Sequence, residues 1–227
     1  MQTPRLIVCR DKKELDNNLV DYFINEYPSE LDEKFYVIPG GSTPKEFLKL
    51  LFEQELNWKN TTFILSDDRL VDAESDFSNE KLLLDNFLNK IKKNERPHYI
   101  SLKNDDLSCL KNFSPNISFL GIGIDGHTAS IFPGISNKYL NDNTKLTFDI
   151  KNPLEQYYRR TLSFSFLRRS KKIIFLLIGE KKANILHKCL YGVYQPSIYP
   201  AQYLIHNFGK KIIIFCDESA AKKFDTK

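Results

Sequence analysis

Short, largely apolar runs alternate with amphipathic helical patterns along almost the whole chain, and this alternation limits the available folds more than any other feature. The runs are Leu6-Ile7-Val8, Phe35-Tyr36-Val37-Ile38, Thr62-Phe63-Ile64-Leu65, Ile117-Ser118-Phe119-Leu120, residues 173–178 and residues 212–215. Each is too short for a helix and rich in β-branched or aromatic residues, so each is expected to be a strand. Leu15, Leu19, Phe23 and Tyr27 recur every four residues after the first run, with Asp11 and Glu14 as a capping-box pair ahead of them. Phe47, Leu48, Leu51 and Phe52 mark one face of a helix over 44–53, and helix-like segments follow at about 180–190 and 217–224.

Strands this apolar are covered on both faces, as in a parallel sheet. The repeated strand–helix order therefore predicts an α/β fold with a doubly wound, Rossmann-like, mostly parallel sheet and helices on both faces. No repeat, low-complexity tract or linker divides the 227 residues, so a single domain over 1–227 is expected, and 41% apolar content suffices for a substantial core. Residues 135–160 are polar and carry no assignable pattern.

Charge narrows the function classes. Against 29 acidic residues stand 33 basic ones, and the lysine pairs are scattered rather than gathered on one element, which argues against a nucleic-acid partner. Cys9, Cys109, Cys189 and Cys216 show no C-x-x-C spacing, so reduced thiols and a cytoplasmic location are expected. No signal-peptide pattern opens the chain, and its longest apolar run, 173–178, is far too short to span a membrane.

In open sheets of this class, ligands sit beyond the carboxyl ends of the strands, where the polar motifs of this chain cluster. Gly40-Gly41-Ser42-Thr43-Pro44 follows one strand and opens a helix, with Thr43 expected as N-cap, Pro44 as first helical residue and Glu46 as capping-box partner. Backbone N–H groups freed by two glycines, the Ser42 and Thr43 hydroxyls and a helix N-terminus suit a phosphate; an ordinary strand–helix turn would look the same. Asp67-Asp68-Arg69 ends the next strand and offers carboxylates for sugar hydroxyls and a guanidinium for phosphate, or simply a surface ion cluster. Lys182, just past the run 173–178, is either a point charge for phosphate or a solvated lysine.

Segment 121–134, Gly-Ile-Gly-Ile-Asp-Gly-His-Thr-Ala-Ser-Ile-Phe-Pro-Gly, contains G-x-G-x-x-G, yet Pro133-Gly134 closes it before the long helix a dinucleotide requires. It reads as a compact catalytic loop. His127 suits a general base, and Asp125 two residues earlier suits the group that orients its imidazole. No G-x-S-x-G nucleophile elbow accompanies them, which favours activated water over an acyl-enzyme. Backbone N–H groups of the glycine turn are the expected oxyanion donors. His98, His187 and His206 stand alone, and no metal-ligand spacing occurs, so no metal is expected.

Taken in order, Gly40-Gly41-Ser42-Thr43-Pro44, Asp67-Asp68-Arg69-Leu70-Val71 with Ser78-Asn79, and segment 121–134 resemble the glucosamine-6-phosphate isomerase/6-phosphogluconolactonase superfamily, on its lactonase side. Arg160-Thr161-Leu162-Ser163, Gly179-Glu180-Lys181-Lys182 and Pro200-Ala201 match more weakly. The resemblance implies hydrolysis of a phosphorylated sugar lactone without cofactor, with His127 and Asp125 catalytic. It further implies that Gly40, Gly41, Ser42, Thr43, Asp67, Asp68, Arg69, Lys182 and, as a helper, Arg160 bind substrate and phosphate. The lactonase pattern has Asp-Glu-Arg where Asp68 stands here. The deaminases of the superfamily carry Asn-Glu before the final Pro-Gly; Ile131-Phe132 stand there instead, so their catalytic glutamate is missing. A sugar-phosphate isomerase or deaminase and a non-catalytic sugar-phosphate sensor are the alternatives. Monomer and dimer are both compatible with the sequence.

Overall fold

The computed structural model describes residues 3–27, 32–41, 43–134, 139–140, 142–151 and 155–224. The chain runs β1 (Arg5–Cys9), α1 (Lys12–Asn25), β2 (Lys34–Ile38), α2 (Lys45–Phe52), β3 (Thr61–Leu65), β4 (Asp67–Arg69), α3 (Asn79–Asn86), β5 (His98–Ile100) and β6 (Ile117–Gly121). It continues through β7 (Thr147–Lys151), β8 (Tyr158–Leu162), α4 (Phe164–Leu167), β9 (Lys172–Leu177), α5 (Ala183–Tyr191), α6 (Ala201–Asn207), β10 (Ile212–Asp217) and α7 (Glu218–Ala221).

Seven strands form one sheet in the order β1-β10-β9-β6-β2-β3-β5, every neighbour parallel. The apolar runs explain its centre, for every residue of β2 and of β10 is buried. On one face, Phe23 of α1 meets Tyr36 at 4.8 Å, Phe119 at 6.2 Å and Phe47 of α2 at 6.3 Å between ring centroids. On the other, Phe35 stacks on Phe113 at 4.4 Å and meets Phe166 at 6.1 Å. Aromatic residues so enclosed supply much of the hydrophobic stabilisation, and truncating one to alanine typically costs about 3–5 kcal/mol. Asp11 caps α1 by accepting from the Glu14 N–H at 2.9 Å, while Glu14 reaches back to the Arg10 N–H at 2.7 Å.

A second sheet, antiparallel and in the order β4-β8-β7, was not legible in the sequence. Ser66 is the joint between the two sheets: its N–H donates to Ile38 O of β2 at 2.8 Å and its carbonyl accepts from Leu162 N–H of β8 at 2.9 Å. The chain thus turns directly off the carboxyl end of β3 into the small sheet, which closes one side of the site. No described helix is long and apolar enough to cross a membrane.

Candidate active site

After β5 the chain returns to the other side of β2, placing β6 there, and then builds outward through β9 and β10. The winding therefore reverses between β2 and β6, the position where open α/β sheets form a ligand crevice. A cavity of about 320 Å³ lies there, lined by Gly40, Gly41 and Thr43 beyond β2 and by Gly123, His127 and Ala129 beyond β6. Arg69, Asn79, Arg159 and Lys182 complete its polar wall, while Leu120, Leu176 and Ile178 form an apolar floor. Ser42 lies outside the described residues. Thr43 does not cap α2 as expected. The helix begins at Lys45 with Pro44 as N-cap and no side-chain cap bond, which leaves the Thr43 side chain on the cavity wall.

The loop after β6 holds the acid and the histidine together. Asp125 Oδ1 lies 2.7 Å from His127 Nδ1 and also accepts from the His127 N–H at 3.1 Å. A proton on Nδ1 satisfies the carboxylate and leaves Nε2 as the accepting nitrogen. Burial pushes the Asp125 carboxyl upward, but the neighbouring His127 charge and its hydrogen bonds outweigh this and hold it below its ordinary range. Phe132 packs against the imidazole at 5.0 Å between centroids. Two glycines are obligatory: a Cβ at Gly123 would lie 2.1 Å from His127 Nδ1, and Gly126 has φ +90° with Tyr199 directly against it.

The expected oxyanion donors of this turn are already committed. Gly123 N–H donates to His127 O at 2.8 Å, Gly126 N–H to Gly123 O at 2.9 Å, and His127 N–H to Asp125. A turn this tight closes on itself and spends its own donors. Ala129, held at φ +50°, also lines the cavity, and its N–H enters no described hydrogen bond.

The pairing of β4 with β8 sorts the remaining candidates by face. Directly opposed residues of an antiparallel pair share a face, and successive residues alternate. The register Asp67↔Thr161, Asp68↔Arg160, Arg69↔Arg159 puts Arg69 and Arg159 on the cavity side. Asp68 and Arg160 lie on the opposite face, and neither is among the described residues lining the cavity. Asp68 is buried and accepts from the N–H groups of Asn79 at 2.7 Å, Arg69 at 2.8 Å and Glu80 at 3.2 Å, so it anchors the start of α3. Burial raises its carboxyl above the ordinary range, against the opposing pull of those hydrogen bonds. Arg160 forks onto Asp149 at 2.6 and 3.0 Å and donates to the carbonyls of Leu102 and Asn104.

Arg159 is the cavity arginine that the sequence reading missed, because two adjacent arginines cannot be told apart until the partner strand is known. Asp67 does line the cavity, but its carboxylate accepts from Ser66 Oγ at 2.8 Å, Ser130 Oγ at 2.5 Å and Arg159 Nη1 at 3.3 Å. It ties β4 to the loop after β6 and to β8. Asn79, the first residue of α3 after its N-cap Ser78, donates to Asp67 O at 3.0 Å and accepts from Arg69 Nη1 at 2.7 Å, which aims Arg69 at the cavity.

Lys182 lies where expected, its ammonium donating to Ile122 O. Burial lowers its basicity, and the Asp125 charge partly restores it. Among the described residues, neither Arg69 nor Lys182 pairs with a carboxylate. No three described His, Cys, Asp or Glu side chains converge as metal ligands.

The chain is similar to known proteins over most of its length. The chain is 33% identical over 193 residues to 6-phosphogluconolactonase of Haemophilus influenzae, covering 76% of this chain and 81% of that protein. It is 31% identical over 212 residues to 6-phosphogluconolactonase of Aggregatibacter actinomycetemcomitans, covering 86% and 89%. The fold superposes on a 6-phosphogluconolactonase from Shewanella baltica with TM-score 0.85 at 24% identity, over 95% and 98% of the chains. It also superposes on a monomeric glucosamine-6-phosphate deaminase with TM-score 0.77 at 20% identity, over 96% and 99%. The family profile of glucosamine-6-phosphate isomerases/6-phosphogluconolactonase matches residues 10–213, and the chain belongs to that family.

Proposed function

We propose that this protein hydrolyses 6-phospho-D-glucono-1,5-lactone to 6-phospho-D-gluconate, the lactone-opening step of the oxidative pentose phosphate pathway. The observation that carries this reading is the Asp125–His127 contact at 2.7 Å on the rim of a cation-lined cleft. His127 Nε2 takes a proton from water as the water oxygen bonds to the lactone carbonyl carbon. Collapse of the tetrahedral adduct breaks the bond to the ring oxygen, which receives the proton from the imidazolium. One water is added and the histidine is regenerated. Asp125 keeps the proton on Nδ1 and stabilises the transient cation, as the acid does in hydrolytic triads. The Ala129 N–H, on the cavity wall, is the loop donor assigned here to the oxyanion.

Arg69, Lys182 and the loop with Gly40, Gly41 and Thr43 supply cations and backbone donors for the 6-phosphate, and neither cation is ion-paired to a carboxylate among the described residues. The four free cysteines suit a reducing compartment, consistent with the cytoplasm. The superfamily's other activity is disfavoured by the cleft's acids. Asp67 is the one carboxylate among its described lining residues, and its oxygens are tied to Ser66, Ser130 and Arg159. Phe132 packs on His127 within the Ile131-Phe132 pair that replaces the deaminases' Asn-Glu.

The test is acceleration of freshly generated 6-phosphogluconolactone over its spontaneous hydrolysis, wild type beside His127→Ala. We expect the variant to lose about 10²–10⁴-fold in kcat with little change in KM, because the base acts in the transition state. Near-normal turnover by the variant would remove the base assignment, and no acceleration by wild type would remove the lactonase reading.

A further inference from the structure

The cations Arg69, Arg159 and Lys182 that line the cleft are not equivalent. Arg69 and Lys182 rest on carbonyl and amide oxygens. Arg159 instead lies between two carboxylates. On its inner side, Nη1 donates to Asp67 at 3.3 Å and Ser130 Oγ at 3.4 Å. On its outer side, Nε and Nη2 donate to the two oxygens of Glu155 at 2.7 and 2.5 Å. A guanidinium has five N–H donors, so little of Arg159 is left for a ligand while Glu155 stays in place.

The two acids differ in how firmly they are held. Asp67 is buried and fixed by two serine hydroxyls besides Arg159. Glu155 has a side chain 30% exposed, and Arg159 is its described partner. The hydrogen bond from Arg159 lowers its carboxyl against the effect of burial, and the charges of Arg159, Arg69 and His127 add to this, so Glu155 senses the same cations that face the cleft.

We propose that Glu155 competes with the substrate's phosphoryl group for the outer edge of Arg159 and thereby tunes the cleft toward dianions. This rests on the phosphate-binding reading of the cleft. A phosphate dianion drawn also by Arg69 and Lys182 can displace a carboxylate from a bidentate guanidinium site. A ligand carrying only a carboxylate offers Arg159 nothing that Glu155 does not already provide, and it meets the repulsion of a like charge. The glutamate is thus a specificity residue acting against the wrong ligand, including the carboxylate end of the sugar acid the reaction forms.

Calorimetric titration of the whole protein with 6-phosphogluconate, inorganic phosphate and gluconate tests this. In Glu155→Gln, both phosphate ligands should bind tighter by on the order of tenfold, and gluconate should gain measurable binding. In an Arg159→Gln background the same substitution should give no gain, because the edge being contested is gone. If wild type binds 6-phosphogluconate and Glu155→Gln binds it equally or more weakly, Glu155 merely holds Arg159 in place and the inference is overturned. If neither protein binds either phosphate ligand, the phosphate reading of the cleft falls and the inference falls with it.

Discussion

The contact between His127 and Asp125 depends on an atom that is missing. A methyl at position 123 would sit 2.1 Å from Nδ1 and 2.5 Å from Asp125 Oδ1, so Gly123→Ala cannot keep the dyad in place. Position 123 is at the loop's start, outside the buried sheet, so the damage should fall on chemistry. We expect kcat to drop by about 10²-fold or more, with a far-UV circular dichroism spectrum like that of wild type. Full activity in this variant would show that the imidazole works from another orientation. The dyad was legible in the sequence because its two members are two residues apart, and a tight glycine turn brings such neighbours together without help from the rest of the fold. Arg159 was not. It and Arg160 are chemically identical neighbours, and only the pairing Arg69↔Arg159 decides which one faces the cleft.

At the level of elements, the antiparallel sheet β4-β8-β7 turns the end of β3 into one wall of the site. Asp68 is its anchor to α3, a buried carboxylate accepting three backbone N–H groups. Asp68→Ala would leave those donors without their acceptor, at a cost of about 3 kcal/mol. Urea unfolding should show a lowered midpoint with an unchanged slope, and a variant as stable as wild type would mean that water replaces the carboxylate without penalty. Strands β1, β2, β3, β6, β9 and β10 were legible because their sequences are apolar enough to be strands anywhere. β7, Thr-Phe-Asp-Ile-Lys, is half-exposed and owes its conformation to β8, so its own pattern could not announce it. β5 and β4, three residues each, are too short to carry a period.

At the scale of the molecule, ligand, cleft and stability are linked. 6-Phosphogluconate at about 100 times its Kd should stabilise the fold by about 2.7 kcal/mol, read as a rise in Tm. With Lys182 as the proposed phosphate cation, that rise should depend on pH. A lysine is charged below its pKa, and burial lowers this one, so it discharges at lower pH than an ordinary lysine. The ligand-induced rise in Tm should therefore shrink early on the alkaline side. Lys182→Arg, which keeps its charge at any accessible pH, should preserve it; an identical alkaline loss in both proteins would exclude Lys182 as the phosphate cation. Sequence alone determined the parallel α/β core, the glycine loops at its carboxyl edge and the Asp125–His127 dyad, because apolar periodicity and short-range turn geometry are local properties of the chain. Tertiary structure alone decided which charges face the cleft. Arg159 came in, Asp68 and Arg160 turned out, and Asp67 became a brace, because a strand's two faces acquire an inside and an outside only when β4 and β8, about 90 residues apart, find each other.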